Sequence, residues 1–356
     1  MIKRLLVTGG AGFIGSSFIR QLFETDSSYQ ALNLDKLTYA GNLENLSSLE
    51  TVPGYRFFRG AIEQARDVDA AFRAAEEAFG AQVEAVVHFA AESHVDRSIE
   101  DPSEFLTTNV VGTQVLLEAA RRRGIQRFIH VSTDEVYGSL GDSGAFSETT
   151  SLAPNSPYAA SKAGSDLIAR AYFQTYGLPV IITRCSNNYG PYQFPEKLIP
   201  LMIANALEDM PLPVYGDGQN VRDWIYVDDH SRAIRTILQQ GVPGEVYNIG
   251  GSSELPNLQV VRAILNLLGK PESLIQFVPD RPGHDQRYAM DATKLRQETG
   301  WTPRTRFEEG IRATVEWYLA NTGWMSRVRS GAYQQYYERL YENRQHWIEQ
   351  AAGARS

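Results

Sequence analysis

Short apolar runs alternate with stretches of helical period through the first half of the chain. The runs Leu5–Thr8, Ala31–Leu34, Tyr55–Phe58, Ala85–Phe89, Phe128–Ser132 and Val180–Thr183 read as strands buried on both faces. Between them, Phe13–Phe23, Asp67–Phe79, Ser103–Arg123 and Pro157–Tyr176 carry apolar residues at helical spacing. Strand–helix alternation predicts an α/β fold with a doubly wound parallel sheet, which binds ligands at the carboxyl ends of its strands. From about Ser186 the rhythm breaks. Pro191, Pro195, Pro200, Pro211, Pro213, Gly216 and Gly218 predict irregular loops and short helices, and Glu245–Ile249 reads as a strand returning to the sheet. The expected division is a first domain over residues 1–185 with a return segment near 224–250, a smaller lobe from 186–223 and 251–324, and a tail over 325–356. The end of that tail, Ala351–Ser356, is expected to be disordered.

Composition narrows the partners. The chain has 356 residues, 43% hydrophobic and 21% charged, as a globular protein with a sizeable core does. A net charge of −8 disfavours nucleic acid or an anionic membrane as partner. No apolar run reaches the roughly 18 residues of a membrane span. Met1–Thr8 runs directly into the first predicted strand, so no cleaved signal is expected, and the one cysteine, Cys185, precludes an internal disulfide. Together these predict a cytoplasmic protein in which Cys185 is a small core residue rather than a nucleophile.

Gly9-Gly10-Ala11-Gly12-Phe13-Ile14-Gly15 lies between the first strand and the first helix. Glycine there lets a pyrophosphate reach the backbone, and the helix N-terminus supplies partial positive charge. Asp35 ends the second strand twenty residues beyond Gly15, where an acid accepts from ribose hydroxyls. It would repel a 2′-phosphate by about 4 kcal/mol at 4 Å and an effective dielectric near 20, which favours NAD over NADP. The first domain therefore reads as an NAD-binding, Rossmann-like domain, and the second lobe as substrate-binding.

Tyr158 and Lys162 stand at i and i+4 on a predicted helix, sharing one face, and an ammonium close to a phenol favours the phenolate. About 25 residues earlier, Val131-Ser132-Thr133 ends a strand in hydroxyl groups. With the glycine fingerprint, this combination resembles the extended branch of the short-chain dehydrogenase/reductase superfamily. The next residues, Asp134-Glu135-Val136-Tyr137-Gly138, put two carboxylates directly after a buried strand. Adjacent acids do not ionise equally, which suits one as general acid and the other as base. This segment is similar to that of the dTDP-glucose 4,6-dehydratases. So are Tyr39–Leu43, Ala90–Asp96, Ser186–Pro191, Val221–Trp224 and Asp280–Asp285, and the resemblance spans nearly the whole chain.

The resemblance implies transient oxidation at C4 of a nucleoside-diphosphate hexose, loss of water across C5 and C6, and return of hydride to C6. In that scheme Tyr158 is the base at the C4 hydroxyl, assisted by Lys162 and Thr133, Glu135 the base at C5 and Asp134 the acid at C6. It implies NAD contacts at Gly9, Gly12, Phe13, Ile14, Gly15, Asp35, Lys36, Thr38, Ala61, Ile62, Ala90, Ala91, Ser93, Thr108 and Asn188, besides Tyr158 and Lys162. It implies substrate contacts at Ser93, Thr133, Asn187, Lys197, Leu198, Pro213, Tyr215, Asn257, Arg281 and His284, with Arg222 on the diphosphate rather than paired to Asp223. No metal site is expected: His284 has no partner cluster, and His88 and His130 read as core residues. Ala61 stands where the family usually carries an acid on the adenine amino group, so adenine is expected to be held more loosely. Helices Ser103–Arg123 and Pro157–Tyr176, with Leu106, Val110, Leu116 and Leu117, are expected to pair across a homodimer. Two alternatives stand beside the dehydratase: a nucleotide-sugar 4-epimerase or decarboxylase, which needs neither Asp134 nor Glu135, and a non-catalytic NAD-binding scaffold. Thymidine and uridine carriers are not distinguished by these motifs.

Overall fold

A computed structural model describes residues 1–330 together with Gln335, Tyr337, Leu340 and Tyr341; Ala351–Ser356 lie outside the described residues. The strands are β1 (Arg4–Thr8), β2 (Gln30–Asp35), β3 (Tyr55–Arg59), β4 (Ala85–His88), β5 (Arg127–Thr133), β6 (Val180–Cys185), β7 (Asn187–Tyr189), β8 (Leu212–Tyr215), β9 (Val221–Tyr226), β10 (Val246–Ile249), β11 (Glu254–Pro256) and β12 (Ile275–Val278). The helices are α1 (Phe13–Thr25), α2 (Ala65–Phe79), α3 (Val95–Glu100), α4 (Pro102–Phe105), α5 (Thr113–Arg123), α6 (Pro157–Tyr176), α7 (Leu198–Leu207), α8 (Val227–Gln240), α9 (Asn257–Leu268), α10 (Thr293–Thr299) and α11 (Phe307–Ala320).

Seven strands form one sheet in the order β10-β6-β5-β4-β1-β2-β3, with every pairing parallel. Both faces are covered, which is why these strands are apolar throughout. Along β1, Leu5 and Val7 pack on one face with Phe18 and Ile19 of α1 and Ile234 and Ile237 of α8. Leu6 packs on the other, with Val68 and Phe72 of α2 and Leu116 and Leu117 of α5. The strand order reverses beside β1, so the carboxyl ends of β1 and β4 open a crevice there.

Two expectations are corrected. Residues 103–123 do not form one helix: α4 passes into a π-helical stretch, Leu106–Gly112, before α5 begins at Thr113. The lobe after Ser186 is also more regular than its prolines suggest. A three-stranded sheet (β11-β9-β7) and a two-stranded sheet (β12-β8) pack with α7, α9 and α11 around Ile199, Met202, Val260, Ile264, Ile311 and Val315. The chain re-enters the main layer at α8, because Trp224–Tyr226 belong to β9 and pair with β7. No helix among the described residues is long and apolar enough to cross a membrane.

Candidate active site

The glycine turn is built by close approach. Gly9 holds φ +70°, and a Cβ on it would stand 2.5 Å from the Ala90 nitrogen. A Cβ on Gly15 would stand 2.3 Å from the Gly9 oxygen, whereas one on Gly12 would meet nothing closer than 3.4 Å. Gly12 caps α1 without a side chain, so the first N–H groups of the helix are open to an anion. Asp35 stabilises this turn from β2: its Oδ2 accepts from Ala11 N–H at 2.9 Å and its Oδ1 from Leu37 N–H at 2.8 Å. The carboxylate retains lone pairs for a ribose hydroxyl. This cradle fits the dinucleotide expected from the sequence.

An open cleft of about 1570 Å³ runs from Asp35 and Gly60 past the glycine turn to Tyr158, Lys162 and Lys197. It is lined by Gly9, Gly12, Phe13, Ile14, Gly15, Asp35, Lys36, Thr38, Ile62, Ala90, Ala91, Ser93, Thr108, Asn187 and Asn188, and by Thr133, Asp134 and Glu135. Asn188 is held internally as well: its amide donates to Ser186 O at 3.0 Å and its Oδ1 faces His230 Nδ1 at 2.9 Å. Ala61 stays off the cleft surface, buried, with its N–H donated to Asp67 at 3.1 Å.

At the floor of the cleft, Ser156 caps α6 by accepting from Ala159 N–H, and Pro157 starts the helix. Tyr158 thus sits in the first turn and Lys162 one turn on. Lys162 Nζ donates to Val131 O at 2.8 Å, and burial pushes its ammonium down to about 8. The Tyr158 phenol stands well above its ordinary value, through burial first and Glu135 next, with Thr133 opposing. The expectation that Lys162 lowers this phenol is outweighed here: desolvation of a buried phenolate dominates.

Thr133 ends β5, and its Oγ1 accepts from Glu135 N–H at 3.2 Å, folding Asp134–Tyr137 into a single 3-10 turn. That turn holds both acids at the cleft. Burial, then the Glu135 charge, raises the Asp134 carboxyl well above the carboxylate range, and its Oδ2 is buried with no hydrogen-bond partner. Glu135 is raised by burial as well, but Arg281, Lys197 and Arg222 oppose the shift. The pair is therefore asymmetric, with Asp134 the more readily protonated member.

The remaining expected substrate residues lie beyond this cleft, in the second lobe. Arg222 donates to Val221 O at 2.8 Å and Asp285 O at 2.9 Å, and its guanidinium lies 4.3 Å from the Tyr288 ring centroid. It is not paired with Asp223, which accepts from Gly251 and Ser253 N–H at 3.0 and 2.7 Å. Tyr215 donates to Asp96 at 2.8 Å, and Arg281 meets the same carboxylate at 3.4 Å. His284 Nδ1 lies 2.6 Å from Asp280, and burial holds the ring down at about 4. Asn257 opens α9 with a buried, unpartnered Oδ1. Pro213 is buried in β8, opposite Gln276, and Leu198 packs into the lobe core. Lys197, at the junction, donates to Ser93 O at 2.6 Å. His88 and His130 are buried and partnered, by Thr8 and Thr113 and by Ser165 and Asp166.

Sequence reasoning did not assign site roles to Glu63, Glu92, Ser132, Ser186, Gln193, Phe194 or Glu196, all of which line the cleft. Glu92 is pushed up to about 7 by burial and by Glu104 and Glu196. The only available signal was adjacency, Glu92 to Ser93 and Glu196 to Lys197.

Comparison with known proteins covers most of the chain. The family model described as GDP-mannose 4,6 dehydratase matches residues 6–314. The dTDP-glucose 4,6-dehydratase of Xanthomonas campestris pv. campestris is 56% identical, covering 92% of this chain and 96% of the relative. That of Salmonella typhimurium is 51% identical over 96% of this chain and all of its own length. The crystal structure of DesIV, a dTDP-glucose 4,6-dehydratase from Streptomyces venezuelae with NAD and TYD bound, superposes with a TM-score of 0.87 at 52% identity, covering 91% of this chain and 99% of its own. A UDP-glucose 4-epimerase from Thermus thermophilus is more distant, at 34% identity and a TM-score of 0.81. Near-complete coverage at more than half identity, with a superposing fold, places the chain in the dTDP-glucose 4,6-dehydratase family.

Proposed function

We propose that this protein binds NAD and converts dTDP-glucose to dTDP-4-keto-6-deoxyglucose in the cytoplasm. The observation that carries the reading is the asymmetric diacid beside Tyr158: Asp134 is buried with an unpartnered Oδ2 and raised well above the carboxylate range, whereas Arg281, Lys197 and Arg222 oppose the rise at Glu135. Residues 1–185 with the returning segment hold the cofactor, and 186–223 with 251–324 hold the sugar nucleotide. When bound, NAD supplies a hydride acceptor at C4, a hydride donor at C6 and a positive ring that favours the Tyr158 phenolate. Tyr158 takes the C4 hydroxyl proton, with Thr133 on the same oxygen. A ketone at C4 acidifies C5, and Glu135 takes that proton while Asp134 protonates the departing C6 hydroxyl; Glu135 gives the proton back to C5 when C6 regains hydride. Arg222, Arg281 and Lys197 offer positive charge to the diphosphate, and Asn187, Asn257, Tyr215 and His284 line the way to the nucleoside. A 4-epimerase or a decarboxylase needs neither acid.

Incubation with dTDP-glucose, followed by the strong-alkali absorbance of a 4-keto-6-deoxy sugar, tests this. The expected product lacks its C6 oxygen; a product that keeps it sinks the dehydratase reading, and turnover only of UDP- or GDP-hexoses sinks the thymidine assignment.

We also propose a homodimer, through a revised face. Leu116 and Leu117 are fully buried against the sheet, whereas Leu106, Val111 and Leu167 are 53%, 49% and 58% exposed along the π-helical stretch and α6. Sedimentation at the mass of a single 39.8 kDa chain would refute it.

A further inference from the structure

Three acidic side chains stand where β2 and β3 end, and two are committed to the protein itself. Asp35 accepts from Ala11 and Leu37 N–H. Asp67 accepts from Ala61 N–H at 3.1 Å and faces Arg66 at 3.3 Å. Glu63 differs. Its Oε1 accepts from Lys36 Nζ at 2.8 Å, but its Oε2 is buried without a hydrogen-bond partner, on a side chain only 9% exposed that lines the cleft. A carboxylate oxygen left unpaired and dry is costly, and such groups ordinarily find a donor.

The fold says which donor reaches it. In a sheet of this kind the diphosphate rests on the turn after β1 and the adenosine ribose on the acid ending β2. The base then lies past β2, over Gly60–Glu63. There Ile62 provides an apolar wall, and Ala61 provides no side-chain acceptor. Adenine carries an exocyclic amino group, a donor, and the unpartnered side-chain acceptor on this stretch is Glu63 Oε2. Lys36 fixes the carboxylate through Oε1 and leaves Oε2 as a pure acceptor. We infer that Glu63 accepts the exocyclic amino hydrogen of the cofactor's adenine and thereby selects adenine over a purine bearing oxygen at that position. This inference rests on the reading that the cofactor is NAD.

The test compares NAD with nicotinamide hypoxanthine dinucleotide, in which a carbonyl replaces the amino group. The holoenzyme is equilibrated with both at equal concentration, and the bound dinucleotides are extracted and quantified. The expected excess of bound NAD is about tenfold or more, the worth of one charge-assisted hydrogen bond. In Glu63→Gln the ratio falls to about one or below, because the amide can turn an N–H toward the hypoxanthine oxygen. Equal occupancy in the unaltered protein overturns the inference whatever the variant does, and so does a Glu63→Gln protein that keeps the original ratio. If no dinucleotide is bound at all, the cofactor reading fails along with it; if both bind equally, only the role of Glu63 fails.

Discussion

The glycine turn and the second lobe beside the cleft prepare for a phosphorylated ligand in different ways. On the cofactor side, one contiguous segment does it with backbone: Gly9 and Gly15 touch at distances that admit no Cβ, and the N-terminus of α1 is left open. On the side expected to hold substrate, side chains from three distant segments do it with charge. Lys197 opens α7, Arg222 lies in β9, and Arg281 lies beyond β12, and all three bear on Glu135. Backbone dipoles need no counter-charge in the free protein. Buried cations do. Burial pushes Arg222 down, and it leans on two carbonyls and the Tyr288 ring; burial also opposes the Arg281 charge, but Asp96 and Glu135 hold it up. The backbone half can therefore be pre-formed at little electrostatic cost, whereas the side-chain half draws on the carboxylates of Asp96 and Glu135.

If the two sides are separable, removing an acid should abolish chemistry without loosening the cofactor. Asp134→Asn and Glu135→Gln are each expected to lower kcat by about 10²–10⁴, the usual worth of a positioned acid or base, with bound NAD unchanged. Product formation and extracted dinucleotide, measured on the same preparation, check this; a parallel loss of NAD would mean that the halves are coupled.

Lys162 belongs to both sides, and its burial predicts a second effect. Its folded value of about 8 lies below the ordinary 10.5, so the folded state disfavours the ammonium. The unfolded chain binds more protons between those two values, and stability should rise with pH across that window. Below pH 8 the full penalty, roughly 3 kcal/mol, is present. Lys162→Met should therefore unfold at a higher temperature than the parent at pH 7, less the one hydrogen bond to Val131, with a margin that shrinks toward pH 10. The same titration should make the parent's kcat/KM fall above about pH 8. Unfolding curves at pH 7 and 10 would contradict the assignment if the margin were absent or grew.

How legible this was in the sequence follows the same division. The glycine turn, Asp35 and the Thr133–Glu135 turn are contiguous, and each sits where a strand stops, so residue type and spacing locate them. The apolar runs gave β1 through β6 to within two residues at either end because strands buried on both faces have no polar alternation to confuse them. The second lobe was read as irregular because β7, β8, β11 and β12 are only three or four residues long and β8 contains Pro213. The π-helical stretch carries no composition of its own, since Leu106–Gly112 has the same helical period as its neighbours. Glu63 and Glu92 were invisible for another reason: a carboxylate after a strand looks like a solvated charge until tertiary packing buries it.

The smallest effect gives the sharpest view of the backbone half. Gly12 and Gly15 look alike in the motif, yet their surroundings differ. Gly12 holds φ −75° and ψ 177°, extended backbone open to any residue, and a Cβ there meets nothing closer than 3.4 Å. A Cβ at Gly15 would meet Gly9 O at 2.3 Å and Gly10 Cα at 2.8 Å, both backbone atoms that cannot turn aside. Gly15→Ala should cost about 1–3 kcal/mol of fold stability, as overpacking does. Gly12→Ala should fall within about 0.5 kcal/mol of the parent when no dinucleotide is present. Its methyl group would instead occupy the space where a diphosphate approaches the α1 N–H groups, so its loss should appear as weaker NAD binding alone. Thermal unfolding with and without added NAD separates the two glycines. If Gly12→Ala destabilises the ligand-free protein as much as Gly15→Ala does, that turn is shaped by internal packing throughout, and the open N-terminus of α1 is not reserved for an anion.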